Sequence, residues 1–157
     1  MKDLRKSTSS KNLNARHTMK KIFAILASAI ILLTVPSISD AQTIRDKYGA
    51  QIGTIQSDGT IRDKYGAQVG KIDSNSCVRD KYGAQIGKID NDGTIRDKYG
   101  SQVGKVYSDG VVRDRYGSQI GKVESDGTIR DKYGSQIGSA RGVPTIWAGL
   151  YFFFNLN

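Results

Sequence analysis

The chain has 157 residues, enough for one small domain, with 24 Lys and Arg against 15 Asp and Glu. Seven of the basic and two of the acidic residues lie in residues 1–41, so residues 42–157 have a net charge of only +4. This mild, interleaved charge excludes the basic footprint of a nucleic-acid-binding domain. The single cysteine, Cys77, excludes an intramolecular disulfide framework, and we expect it to be a small packing residue rather than a reactive thiol.

The N-terminal segment has the pattern of a secretory leader. Residues 1–18 form a polar extension, and two lysines after Met19 (an alternative start to Met1) precede the apolar run Ile22–Val35. Small residues before Gln42 complete a signal peptide over residues 19–41. Cleavage near Ala41-Gln42 would export the chain to the periplasm, the cell envelope or the medium. A retained membrane anchor is the alternative, although a span needs about twenty apolar residues.

A seventeen-residue unit begins at Ile44 and occurs six times without a gap, with Arg, Asp, Tyr, Gly, Gln and Gly at fixed places. A fixed period indicates that each repeat is one supersecondary unit. Two bends divide the unit, an Asp-Gly pair such as Asp58-Gly59 and a Tyr-Gly pair such as Tyr48-Gly49. Its glycines disfavour helix by about 1 kcal/mol each, whereas β-branched residues favour strands. The repeats therefore predict hairpins with primed Asp-Gly turns, and about twelve short strands over residues 42–142.

The ends of the array indicate closure. The first and last repeats match the consensus and lack polar caps, so we expect a closed ring rather than an open array. The uncharged segment 143–157 is apolar on nearly all sides, and Pro144 suits a first helical turn. The predicted fold is an all-β repeat, six hairpins forming a shallow barrel around one hydrophobic helix from Pro144 to Leu156, about 20 Å long. Its predicted plug residues are Ile146, Trp147, Leu150, Tyr151, Phe153 and Phe154.

Residues 44–157 resemble the β-flower repeat proteins, bacterial relatives of the tubby-like architecture. The Asp-Gly hairpins, the Tyr-Gly-x-x-Ile/Val-Gly core and the apolar tail carry this resemblance. It implies hairpin repeats that form a ring of strands around an apolar C-terminal helix. It implies no activity, and the chain has no motif that matches the phosphoinositide-binding basic residues of tubby-like proteins.

Equivalent residues of a closed ring form a circle, so the repeated arginines and their neighbouring lysines could form a rim that attracts anionic lipids or polysaccharides. The alternative, which we favour, is that each arginine pairs with a consensus aspartate, such as Asp46 or its neighbour-hairpin equivalent. Likewise, the consensus tyrosines could form an aromatic rim, but we favour packing beside the turn glycines. The arginines of the candidate anion-binding rim are Arg45, Arg62, Arg79, Arg96, Arg113 and Arg130.

Enzyme chemistry has little support. Residues 42–157 contain no histidine, and Glu124 is their only glutamate, so we predict no catalytic residue. The Asp-Gly turns lack a calcium-binding loop, and we predict neither a metal site nor a cofactor. We expect an exported, non-enzymatic monomer that acts as a binding or envelope-associated structural module and does not bind nucleic acid. The alternative is a peripheral membrane protein that binds anionic lipid through the basic rim or the apolar tail.

Overall fold

The computed structural model describes residues 42–154, which contain one closed antiparallel barrel of twelve strands and one helix. The predicted extension and signal peptide, residues 1–18 and 19–41, lie outside the described residues. The strands are β1 Thr43–Asp46, β2 Gln51–Ile55, β3 Thr60–Asp63, β4 Gln68–Ile72, β5 Cys77–Asp80, β6 Gln85–Ile89, β7 Thr94–Asp97, β8 Gln102–Val106, β9 Val111–Asp114, β10 Gln119–Val123, β11 Thr128–Asp131 and β12 Gln136–Ala140.

Each strand pairs with its neighbours in the chain, and the first pairs with the last. At this junction Ile44 lies opposite Ala140, and Arg45 lies opposite Ser139. The ladder continues in the same register as inside the array, where Arg79 lies opposite Lys71. The predicted closed ring is therefore confirmed, and the open array is wrong. Closure removes the two unpaired edges that such an array would expose.

The turns between β1 and β2, and their equivalents, are held by an aspartate carboxylate. Asp46 Oδ1 accepts hydrogen bonds from the backbone N–H groups of Tyr48 and Ala50, both at 2.9 Å. Gly49 has φ +84°, a conformation that glycine adopts without steric cost. The aspartate thus supplies acceptors for the turn's own backbone, which explains why an Asx-type turn forms here. We call these the tyrosine turns.

The Asp-Gly turns differ from the primed turns that the sequence suggested. The N–H of Gly59 donates to the carbonyl of Gln56 at 2.9 Å, so the glycine is the fourth residue of the turn. Gly59 has φ +81°, but Asp58 is not among the residues with positive φ, whereas a type I′ turn needs two. The geometry is that of a type I turn followed by a left-handed glycine. The prediction of primed turns was wrong, because the loop is one residue longer than a two-residue hairpin.

Aliphatic side chains line the half of the barrel next to the Asp-Gly turns. Ile44, Ile95, Val112 and Ile129 are fully buried, and the consensus arginine that follows each of them lies on the outer wall. One register shift occurs in every hairpin that contains a tyrosine turn, for example between Ile44 and Arg45. Such bulges increase strand bending and twist, which helps short strands close into a barrel.

The C-terminal helix, α1, runs from Thr145 to Phe153 with Pro144 as its N-cap. At 1.5 Å per residue it is about 13 Å long, shorter than the predicted span to Leu156. Phe154 ends it with an extended backbone, while its N–H still donates to the carbonyl of Leu150 at 3.1 Å. The helix lies close to β8, because a Cβ at Gly149 would be only 2.7 Å from a methyl carbon of Val106.

Aromatic side chains at the end of the helix pack against glycines of the strands. A Cβ added at Gly138 would meet the ring of Phe152, and equivalent glycines face Tyr151, Phe153 and Phe154. All six predicted plug residues belong to the core clusters, with Leu150 only 4 % exposed. The predicted set missed Phe152 and the fully buried Ala148. Small strand residues thus leave room for large helix residues, which is how a wide barrel is filled.

The filling is uneven. A cavity of about 170 Å³ lies beside the helix, on the side of the barrel away from the close contact with Val106. Its lining includes Gly70, which has no aromatic ring within 4 Å of an added Cβ, together with Trp147 and Leu150. Among residues 42–154, no helix has both the length and the apolar character that crossing a membrane requires.

Candidate binding rim

All six tyrosine turns lie at the same end of the barrel, because each joins an odd-numbered strand to the following even-numbered one. The Asp-Gly turns lie at the other end. Strand β12 finishes there at Ala140, so the segment that leads into the helix also starts there. The mouth formed by the tyrosine turns is therefore the one that the entering segment leaves open. We call its six tyrosines, each with the cation that precedes it, the tyrosine rim.

The rim tyrosines are exposed rather than packed. Tyr48 is 83 % exposed, and the other five lie between 80 % and 83 %. The turns also border open space, since a Cβ at Gly49 would meet nothing within 4 Å beyond its two chain neighbours. Our preferred interpretation, that the tyrosines pack beside their turns, was wrong, and the aromatic rim is what the structure shows. The six are Tyr48, Tyr65, Tyr82, Tyr99, Tyr116 and Tyr133.

Each rim tyrosine lies beneath a cation. The ammonium nitrogen of Lys47 is 4.9 Å from the ring centroid of Tyr48, and the other five cations lie 4.9–5.2 Å from theirs. A cation above an exposed ring is stabilised by about 0.5–1 kcal/mol. Within residues 42–154, none of these cations has a carboxylate within 4.0 Å. The cations are Lys47, Lys64, Lys81, Lys98, Arg115 and Lys132.

Among residues 42–154, the consensus aspartates form no ion pair with the rim cations. Asp46 is already engaged by two backbone N–H groups of its own turn. The same two bonds recur at every repeat, for example at Asp97, where Tyr99 and Ser101 donate. The rim therefore presents six positive charges beside carboxylates that face the backbone of their own turns.

The predicted arginines lie on the outer wall, and their guanidinium groups reach the tyrosine turns. In every repeat one terminal nitrogen of the arginine donates to the carbonyl of the turn glycine, as from Arg45 to Gly49 at 3.0 Å. The expected pairing with the consensus aspartates is absent among the described residues. Three of the six pair instead with acids at a variable turn position: Arg79 with Asp73, Arg96 with Asp90, and Arg130 with Glu124.

Acids in the Asp-Gly turns are also engaged. Asp92 accepts a hydrogen bond from the Lys105 ammonium at 2.7 Å, and from the N–H and hydroxyl of Thr94. These bonds hold the pKa of Asp92 well below its usual range and raise the pKa of Lys105. Donation by the N–H of Thr60 likewise lowers the pKa of Asp58. These carboxylates serve the turns, and within residues 42–154 no three potential metal ligands cluster.

The arrangement suits association with negatively charged groups. Each repeat contributes one flat ring, one phenol hydroxyl and one cation whose charge is not paired within the described part of the chain. The sequence contained this signal, because Lys-Tyr-Gly recurs at the period of the repeat with only one replacement by Arg. The exposure of the rings could not be read from it, because a tyrosine beside a glycine is compatible with packing.

Searches of curated proteins and of solved structures returned no match. A family model described as 5-fold beta-flower protein matches residues 41–156, which include all twelve strands and the helix. The described barrel has six hairpins, one more than the five that this description names. The match spans well over half of the sequence, and it agrees with the hairpin ring and the C-terminal helix. The chain is therefore a member of the 5-fold beta-flower protein family.

Proposed function

We propose that this chain is an exported, non-enzymatic binding module of the cell envelope, and that the tyrosine rim is its ligand-binding surface. The observation that carries the proposal is the ring of six exposed tyrosines, each with a cation 4.9–5.2 Å from its centroid. Export is supported by the composition of residues 19–41, which resembles a cleavable leader.

The ligand that best matches this rim is an acidic polysaccharide. Six equivalent contacts around one mouth are individually weak, since exposed ion pairs contribute only about 0–1 kcal/mol. A polymer with repeated negative charges can engage several contacts together, and linkage then raises the overall affinity without any new contact. The exposed rings add flat apolar faces and hydroxyls, which suit a sugar chain with both apolar and polar edges.

A second candidate is a membrane surface rich in anionic lipid. Tyrosine and lysine side chains both tolerate the boundary between headgroups and water, where an apolar stem is buried and a polar tip stays hydrated. Basic residues near such a surface contribute about 1 kcal/mol each, and salt screens this attraction. The same rim could thus lie flat on a bilayer.

The test compares two variants that lose equal charge. One replaces three rim lysines with glutamine, and the other replaces three wall lysines, two of which are close to acids. Both would be assayed for co-sedimentation with an acidic polysaccharide gel and with vesicles of anionic phospholipid, at low and at 0.5 M salt. The rim variant is K47Q, K81Q and K132Q together, and the wall variant is K71Q, K88Q and K122Q together.

We expect the rim variant to lose at least tenfold in affinity, and the wall variant to lose much less. Retention on the polysaccharide alone would support the first candidate, and retention on vesicles alone the second. Equal losses in the two variants would mean that net charge, and not the rim, governs binding. A wild-type protein that binds neither material at low salt would contradict the proposal.

A further inference from the structure

The junction of β1 and β12 differs chemically from the other strand pairs of the same kind. In the other strand pairs of this kind, an outward-facing lysine or threonine of the even-numbered strand lies opposite the consensus arginine. The position two residues after this lysine or threonine directly follows the end of the even-numbered strand. At this later position the chain has Gln56, Asp73, Asp90, Tyr107 and Glu124. At the junction the same two positions are Ser139 and Arg141, opposite and beside Arg45.

Closure of the barrel thus brings two arginines together at the junction. Each of the other strand pairs of this kind has one arginine and, at the later position, an acid, an amide or a tyrosine. A pocket of about 360 Å³ lies here, lined by Thr43, Arg45, Ser139 and Arg141. The strands place Thr43, Arg45 and Ser139 on the outer face, since their neighbours Ile44 and Ala140 are fully buried inside, and Arg141 is exposed in the turn after β12. We call it the seam pocket.

The donors of the seam pocket are only partly used. Arg45 gives one terminal nitrogen to the carbonyl of Gly49 at 3.0 Å, which leaves its Nε and second terminal nitrogen available. In Arg79 and Arg96 the corresponding Nε lies 2.6 Å from a carboxylate oxygen. Neither Arg45 nor Arg141 has a carboxylate within 4.0 Å among residues 42–154.

One acid does lie in the neighbourhood. Asp126 is close enough to Arg141 for the cation to contribute to its lowered pKa, whose main cause is a hydrogen bond from the N–H of Thr128. Its carboxylate accepts that N–H at 2.8 Å and the Thr128 hydroxyl at 3.0 Å. Asp46, the acid next to Arg45, is held by its own turn. Both carboxylates therefore accept hydrogen bonds from residues close to them in the chain.

We propose that the seam pocket binds a phosphomonoester group, through the guanidinium groups of Arg45 and Arg141 and the hydroxyls of Thr43 and Ser139. Arginine has planar N–H donors that match phosphate oxygens, often in pairs, and its charge persists at any physiological pH. A phosphomonoester carries close to two negative charges near neutral pH, which matches two guanidinium groups. The pocket volume exceeds that of inorganic phosphate alone, so the phosphate's carrier can be a sugar or a lipid glycerol.

The experiment uses the full chain, purified from whichever cell fraction contains it, at low ionic strength. Binding of inorganic phosphate, of glucose 6-phosphate and of vesicles containing phosphatidate would each be measured by calorimetry or co-sedimentation. Arg141→Asp introduces the acid that the second repeat has at the equivalent position, so this variant should fold normally. Arg62→Gln is the matched control, because Arg62 occupies the same place at the β2–β3 pair, which has Gln56 instead of a second arginine.

We expect one phosphate site in the wild type, at least a tenfold loss of affinity in R141D, and no change in R62Q. Gln56→Arg combined with Asp58→Ala gives a sharper test, because Thr54, Thr60 and Arg62 stand where the seam pocket has Ser139, Thr43 and Arg45. Asp58 must be removed, since its carboxylate lies beside Thr60 and Arg62 and the seam has no acid at this position of the repeat. This variant should bind two phosphates. Tighter binding of glucose 6-phosphate than of phosphatidate vesicles would identify a soluble ligand, and the reverse a lipid headgroup.

Three results would overturn the inference. The first is absence of phosphate binding by the wild type at millimolar concentration. The second is equal affinity of R141D and the wild type for these probes. Equal affinity for the vesicles would mean that the tyrosine rim, and not the seam pocket, binds them. The third is a single site in the double variant Q56R and D58A, since two arginines flanked by hydroxyls would then not suffice. If the protein bound phosphate but the tyrosine rim bound neither polysaccharide nor vesicles, only the proposed function would be contradicted. Failure of the proposed function is therefore distinguishable from failure of the seam-pocket inference.

Discussion

Replacing Ser76 with glycine should stabilise the barrel. Ser76 has φ +63° and is the only non-glycine residue with positive φ within residues 42–154. The equivalent residue of the neighbouring Asp-Gly turns is glycine, with φ +81° at Gly59 and +84° at Gly93. The turn is otherwise the same, since the N–H of Ser76 donates to the carbonyl of Asp73 at 2.8 Å. The backbone of Ser76 therefore adopts a conformation that favours glycine.

The magnitude follows from two opposing terms. An L-residue in the left-handed region costs about 1–2 kcal/mol, and glycine removes this cost. Glycine also gains about 0.4–1 kcal/mol of freedom in the unfolded chain, which opposes the gain. We expect Ser76→Gly to raise the free energy of unfolding by about 0.5–1 kcal/mol.

Urea unfolding followed by tryptophan fluorescence measures this change. The midpoint should rise while the dependence on urea stays constant, because the surface exposed on unfolding is the same. Ser74→Gly is the matched control in the same turn. Ser74 does not have positive φ, so its replacement should lower stability by about 0.5–1 kcal/mol. If Ser76→Gly destabilised the protein as much as Ser74→Gly, the argument from backbone strain would be refuted.

Three further predictions test the plug and the turns. Gly121→Ala should destabilise the barrel more than Gly70→Ala in chemical unfolding, because an aromatic ring of the helix packs on Gly121 whereas Gly70 faces the cavity; similar losses would contradict that packing. Trp147, the only tryptophan, should show blue-shifted emission and protection from acrylamide without lipid, and red-shifted emission would place it outside the core. The pKa of Asp92 is lower in the folded state, so its contribution is present above the unfolded value of about 3.9 and is lost as pH falls below it. Asp92→Asn should therefore lose less stability between pH 5 and pH 3 than Asp109→Asn, whose site lacks the threonine hydroxyl and the lysine; equal pH dependence would argue against those bonds.

The sequence predicted the twelve strands from the period of the repeat, the closed ring from its uncapped ends, and the helix from the uncharged apolar tail. Its errors concern geometry within the repeat. The Asp-Gly turns are one residue longer than expected, since Asp58-Gly59 is compatible with more than one turn type. Tyr48 and its equivalents were expected to pack beside their turns, but each is at least 80 % exposed. The helix ends at Phe153, because Phe154 extends its backbone.

Local chemistry was fixed by the sequence alone. Asp46 bonds to residues two and four positions away, so the same turn forms in every repeat regardless of its neighbours. The contacts of the aromatic residues in the helix were decided by tertiary structure, because a side chain such as Phe152 contacts Gly138 only when the barrel surrounds the helix. The seam pocket also depends on tertiary structure. Arg45 and Arg141 come from opposite ends of the repeat array, and closure of the ring brings them together.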